Sequence, residues 1–171
     1  MTDTTPSHPR LILGSTSRYR RELLQRLHVP FDVASPDVDE TPHSAEAPRQ
    51  LALRLALAKA HAVAKQHPSC VVIGSDQVAD LDGTPLGKPG DHQRAVQQLQ
   101  QMRGRTVVFQ TAVAVVHLDA GFEQVDLAPV QVRFRALSDA AIAHYLRTEQ
   151  PYDCAGSAKS EGLGIALLES I

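Results

Sequence analysis

Residues 11–27, LILGSTSRYRRELLQRL, change backbone character twice in one short stretch. Leu11-Ile12-Leu13 is an apolar run suited to a strand, expected over 10–14. Gly14-Ser15-Thr16-Ser17 is a small polar loop. Leu23, Leu24 and Leu27 then keep the i, i+3/i+4 spacing of one buried helix face, predicting a helix over about 17–28. Yet Arg18, Arg20 and Arg21 crowd its first turn. That end of a helix already carries about half a positive charge, so cations are disfavoured there. A strand, a small polar loop and a helix start together form an anion nest of backbone N–H groups, hydroxyls and the positive dipole end. Arginines suit the nest if a multiply charged phosphate supplies the missing negative charge. The plainer alternative is that Ser15 or Ser17 is an N-cap and the arginines are solvated. The patterns GxxxxGK[ST] and GxGxxG are absent.

Further along, Val29–Val33 looks like a second strand, and a loop rich in proline and acid follows it. Residues 48–66 form a long helix and 70–74, CVVIG, a buried strand. Asp82-Gly83 signals a turn. A helix is expected over 91–103 with Gly104 as its C′ residue. A strand over 106–118, a turn at 119–121 and an alternating strand over 126–137 come next. Ser138 caps a helix to about 148, and 163–169 is a last strand. Helices among strands, with one adjacent pair that looks antiparallel, predict an α/β domain: a mixed β-sheet flanked by helices.

Several positions could carry chemistry. Asp37, Asp39 and Glu40 cluster after a proline; such a loop can be an exposed turn, but beside a phosphate nest its carboxylates could hold Mg²⁺. Lys59 shares a helical stripe with Leu55 and Val63, so it either snorkels or aims its ammonium into a pocket. Asp76 stands just past a buried strand, where open α/β sheets place ligands; it could deprotonate water or bind metal, or simply close an Asx turn. Lys88 is held between Gly87 and Pro89. Taken together, arginines, lysines, hydroxyls and carboxylates suit phosphoryl transfer, where catalysis is mostly positioning plus charge neutralisation.

Net charge is −2 and Trp is absent, which argues against a nucleic-acid partner. No apolar stretch reaches the roughly 20 residues of a membrane span. Cys70 and Cys154 show no zinc spacing, and the eight histidines form no ligand motif. Residues 1–9 are expected to be a disordered polar tail and not a signal peptide.

The order of motifs STSxxRR, VDE, LAxxKA, GSDQ, GKP, MxGxxxxxxTAV and CAGSxKSEG resembles the Maf family of nucleoside triphosphate pyrophosphatases, from about Arg10 to Ile171. GSDQ and SEG resemble its YceF-type branch, associated with 7-methyl-GTP; the branch acting on dTTP and UTP typically has threonine after the Asp and glutamine in place of the Glu. The resemblance implies a single Maf/inosine triphosphatase-like domain over 10–171. It implies hydrolysis between the α and β phosphates with a divalent cation, Mg²⁺ or Mn²⁺.

Asp76 would be the proton acceptor, with Glu40 and Asp76 at the metal. Ser15, Arg20, Arg21, Lys59 and Lys88 would cradle the triphosphate, and Tyr19, Gln77 and Glu161 would set base choice. An aromatic face at Tyr19 attracts a cationic methylated purine by roughly 0.5–2 kcal/mol. Tyr19 could instead be a core aromatic beside Leu23. A cytoplasmic homodimer is also implied. Family members usually continue past the last strand into a glycine-rich turn and a further helix, so this chain is expected to lack that helix. Two rivals stay open: a broader triphosphate pyrophosphatase, and a nucleotide-binding regulator of cell division.

Overall fold

The computed structural model describes residues 8–171; residues 1–7, most of the expected tail, lie outside them. Among the described residues seven strands form one mixed sheet in the order β2-β1-β3-β5-β6-β7, with β4 pairing β3. The strands are β1 (Leu11–Gly14), β2 (Asp32–Ala34), β3 (Val71–Leu81), β4 (Thr84–Leu86), β5 (Thr106–His117), β6 (Phe122–Phe134) and β7 (Leu168–Ser170). Among the described residues four α-helices accompany them: α1 (Arg18–Gln25), α2 (Pro48–Ala64), α3 (His92–Met102) and α4 (Asp139–Glu149). The chain packs as two compact units.

The first unit comprises the chain to Pro42 together with Leu53–Asp76 and Ala112–Asp126. β1 pairs in parallel with both β2 and β3, and Gly14 stands opposite Gly74. The two glycines admit α2 to the sheet. A Cβ at Gly74 would lie 2.3 Å from the Ala56 carbonyl oxygen and 2.5 Å from the Ala60 nitrogen. Ala56, Ala60 and Ala64 are fully buried along the facing helix stripe, so small residues on both sides set a close helix–strand spacing.

The second unit holds His43–Ala52, Gln77–Thr111 and Leu127–Ile171. Asp82 and Gly83, both at positive φ (50° and 83°), turn β3 into β4 as a type I′ hairpin requires. Asp91 caps α3 through its Oδ1, which accepts from Arg94 N at 2.8 Å, and Gly104 follows the helix at φ 68°. Ser138 caps α4. Leu99, Met102, Val107, Phe134, Ile142, Tyr145 and Leu146 form the fully buried heart of this unit's core.

Four expectations change. α1 ends at Gln25 and buries none of its residues: Leu23 is 53 % exposed and Leu27, beyond the helix, 67 %. Periodicity marks a face that can be buried, but it does not supply a neighbour. The second strand starts at Asp32, past Pro30, which has no N–H for a ladder. β3 runs on to Leu81, so Asp76 sits within a strand and closes no Asx turn. Residues 163–167 form a 3-10 turn and only Leu168–Ser170 is strand. Gly164 packs there so tightly that a Cβ would lie 2.4 Å from the Lys159 carbonyl oxygen.

Candidate active site

The first unit gathers five of the expected residues into one charged cluster. Ser17, not Ser15, is the N-cap of α1: its Oγ accepts from Arg20 N at 3.4 Å. Ser15 is buried beneath the turn, where its Oγ accepts from Ser17 N at 3.2 Å and from Arg20 Nη1 at 3.3 Å. The first turn of α1 contains no acidic residue to offset its arginines at the positive end of the helix. Burial lowers the Arg20 pKa from its ordinary value, against the opposing pull of Asp76 and Glu40.

Lys59 does not snorkel. It is 5 % exposed, and its Nζ lies 2.6 Å from Asp76 Oδ1 and 2.8 Å from Glu40 Oε1. The α2 spacing set by Gly74 explains the reach. Gly74 and Asp76 alternate onto the same face of β3, so the strand position two residues past the glycine meets the helix that carries Lys59. Asp76 is 7 % exposed. Burial raises its pKa above the usual carboxylate range; Lys59 and Arg20 pull it down, Glu40 pushes it up, and burial prevails.

Asp39 separates from Glu40, because its Oδ1 accepts from Thr41 N at 2.9 Å and closes a local turn. Arg21 is exposed and lines a surface cavity of about 430 Å³ with Gln25 and residues 29–33, away from the Ser15–Arg20 contact. Tyr19 is half-buried on a helix without buried residues, so it is not a core aromatic. The Arg18 guanidinium stands 4.8 Å from its ring centroid and donates to its Oη at 2.9 Å.

Three expected residues belong to the second unit, and all are exposed. Gln77 donates from Nε2 to Thr111 Oγ1 at 2.8 Å. Lys88 projects from a loop whose next residue, Pro89, is fully buried. Glu161 lies on the loop between two 3-10 turns. A brace absent from the motif reading holds that loop. Glu149 pairs with Lys159, and its Oε2 accepts from Leu163 N at 2.8 Å. Tyr145 Oη donates to the Ser157 carbonyl and accepts from Lys159 N, both at 3.1 Å. No motif marks Glu149, an acid in the last turn of an amphipathic helix.

Among the described residues no group of three or more His, Cys, Asp or Glu side chains could cage a metal. Glu40 and Asp76 nonetheless present hard carboxylate oxygens to a single ammonium. Mg²⁺ characteristically takes one or two carboxylates and completes its shell with water and substrate phosphate, so this donor pair fits such an ion. Among the described residues no helix is long and apolar enough to cross a membrane.

This architecture is a mixed-sheet α/β fold shared with a solved structure of the Staphylococcus aureus Ham1 protein. The TM-score is 0.54 at 16% identity, over 74% of this chain and 72% of that one. The profile described as Maf-like protein matches residues 10–171, and the chain belongs to the Maf family. A Polaromonas sp. protein named 7-methyl-GTP pyrophosphatase is 74% identical over 170 residues, 99% of this chain and 78% of that protein. A Bordetella avium protein of the same name is 60% identical over 164 residues, 96% of this chain and 82% of the relative.

Proposed function

We propose that this chain is a nucleoside triphosphate pyrophosphatase that hydrolyses 7-methyl-GTP to 7-methyl-GMP and pyrophosphate. The observation that carries the chemistry is the buried Lys59–Asp76 pair beside Arg20, Ser15 and Glu40. The substrate comes from the names of relatives 56–74% identical to the chain.

Asp76 accepts the proton of the attacking water as the α–β phosphoanhydride bond breaks. Lys59 engages Oδ1, so acceptance falls to Oδ2. A carboxyl whose pKa is raised by burial is a better base than an ordinary aspartate. Ser15 and Arg20 hold phosphate oxygens at the α1 nest, and a bound polyphosphate supplies the negative charge that the first turn lacks. By motif position Lys88 and Arg21 are also assigned to phosphate, Arg21 reaching it from the exposed side of α1.

Tyr19 offers its ring to the cationic base, with Gln77 and Glu161 reading its polar edge. Mg²⁺ or Mn²⁺ held by Glu40 and Asp76 would neutralise phosphate charge. A cytoplasmic homodimer belongs to the same reading.

The test is pyrophosphate release from 7-methyl-GTP, GTP, dTTP, UTP and CTP with Mg²⁺ or Mn²⁺. A preference for 7-methyl-GTP is expected. A preference for dTTP or UTP would keep the mechanism and overturn the base assignment; no release from a cooperatively folding chain would overturn both.

A further inference from the structure

Gln98 lies on α3 between two loops that carry site residues, and both ends of its amide are engaged. Nε2 donates to the Gly87 carbonyl oxygen at 3.0 Å, and Oε1 accepts from Ser157 Oγ at 2.6 Å. The orientation is forced, since a carbonyl can only accept and must therefore face the NH₂ group. Gly87 immediately precedes Lys88, and Ser157 stands four residues before Glu161. Gly156 N also donates to the Gly87 carbonyl at 3.3 Å, and Gly90 N to the Tyr152 carbonyl at 3.0 Å.

We propose that Gln98 is a positioning residue that ties the Lys88 loop to the Glu161 loop, setting phosphate grip and base choice together. The proposal rests on the roles given above to Lys88 and Glu161. Neither side chain is buried, so packing does not orient them; their backbones must. Ser157 is wholly buried and holds φ 55°, a left-handed conformation uncommon for serine that persists only where its surroundings over-determine it. The hydroxyl bond to Gln98 is one such determinant, and the Tyr145 bond to the Ser157 carbonyl is another. From Ser157 the chain passes to Lys159, braced by Glu149, and so to Glu161. On the other side the buried ring of Pro89 stops Lys88 from swinging away. Severing the Gln98 bracket leaves the Gly156–Gly87 and Gly90–Tyr152 backbone bonds, so both loops loosen without coming free while the α3–α4 core stays in place.

Gln98→Met keeps the side-chain volume and removes both bonds; Gln98→Glu keeps an acceptor for Ser157 and removes the donor to Gly87. Amide hydrogen exchange and steady-state kinetics on 7-methyl-GTP and GTP would be measured for both variants and wild type. In Gln98→Met, residues 86–90 and 155–164 should exchange faster together, with α3 and α4 unchanged. KM should rise, and the preference for 7-methyl-GTP over GTP should fall about tenfold, the scale of losing two neutral hydrogen bonds. Gln98→Glu should loosen 86–90 more than 155–164 and keep more of the preference.

Loosening of only one loop in Gln98→Met, or an unchanged preference with both loops loosened, would overturn the proposal. If wild type prefers another nucleotide, the functional reading fails separately. The same ratio is then taken between that nucleotide and its nearest base analogue, while loop exchange reports on Gln98 without reference to activity.

Discussion

Lys59 and Lys88 are the same side chain in opposite settings. In the first unit Lys59 is buried and clamped by two carboxylates, which in turn lie near Arg20. In the second unit Lys88 is exposed, and its loop is held by backbone bonds and by Gln98, which carries no charge. A group that must take a proton needs a fixed electrostatic environment, and burial among partners supplies it. A group that must meet an incoming polyphosphate has to stay solvated, so order is imposed on the backbone beneath it instead.

The contrast breaks most sharply at Asp76. Asp76→Asn should lower kcat by about 10²–10⁴-fold, while nucleotide affinity, read by calorimetry, holds or tightens. Equal turnover in the variant would remove Asp76 as the base. Because the native carboxyl binds its proton more tightly than the unfolded one, wild-type stability should fall as pH rises through the window between the two pKa values. Denaturation of Asp76→Asn against pH should lack that slope.

Lys59→Met tests the clamp. It leaves buried carboxylate charge without its ammonium, a change that typically costs about 3–5 kcal/mol. Lys59 lowers the Asp76 pKa, so its loss should move the acid limb of the kcat/KM profile to higher pH. A limb that stays in place would show that Asp76 is not the titrating base. Glu161→Gln should spare stability, since its side chain is exposed, and reduce the preference for 7-methyl-GTP over GTP about tenfold, the scale of one charge-assisted hydrogen bond.

The smallest effect belongs to Arg18→Ala. Its guanidinium covers the Tyr19 face proposed for the base. An exposed cation–π contact is worth about 0.5–1 kcal/mol, so clearing it should lower KM for 7-methyl-GTP roughly two- to fivefold. A rise in KM would show that Arg18 helps to hold the substrate.

The mixed α/β fold, the arginines crowding the start of α1 and the oddity of a lysine on an apolar helical stripe were all legible in the chain, because spacing and charge act locally. Sequence alone could mark Asp37, Asp39 and Glu40 as a cluster. Only the fold sends Glu40 to Lys59 and leaves Asp39 capping its own turn. Likewise Arg20 and Arg21 are neighbours in the chain, but helical rotation turns one toward Ser15 and the other toward a surface cavity. The leucines of α1 illustrate the opposite limit, since burial depends on what arrives opposite them. Gln98 and Glu149 were invisible for the same reason: their partners lie 11, 59 and 10 residues away in sequence, and a contact across such separations leaves no periodic trace. Short-range pattern thus determined the elements and the kinds of chemistry available, whereas the close α2–β3 approach at Gly74 decided which charges meet.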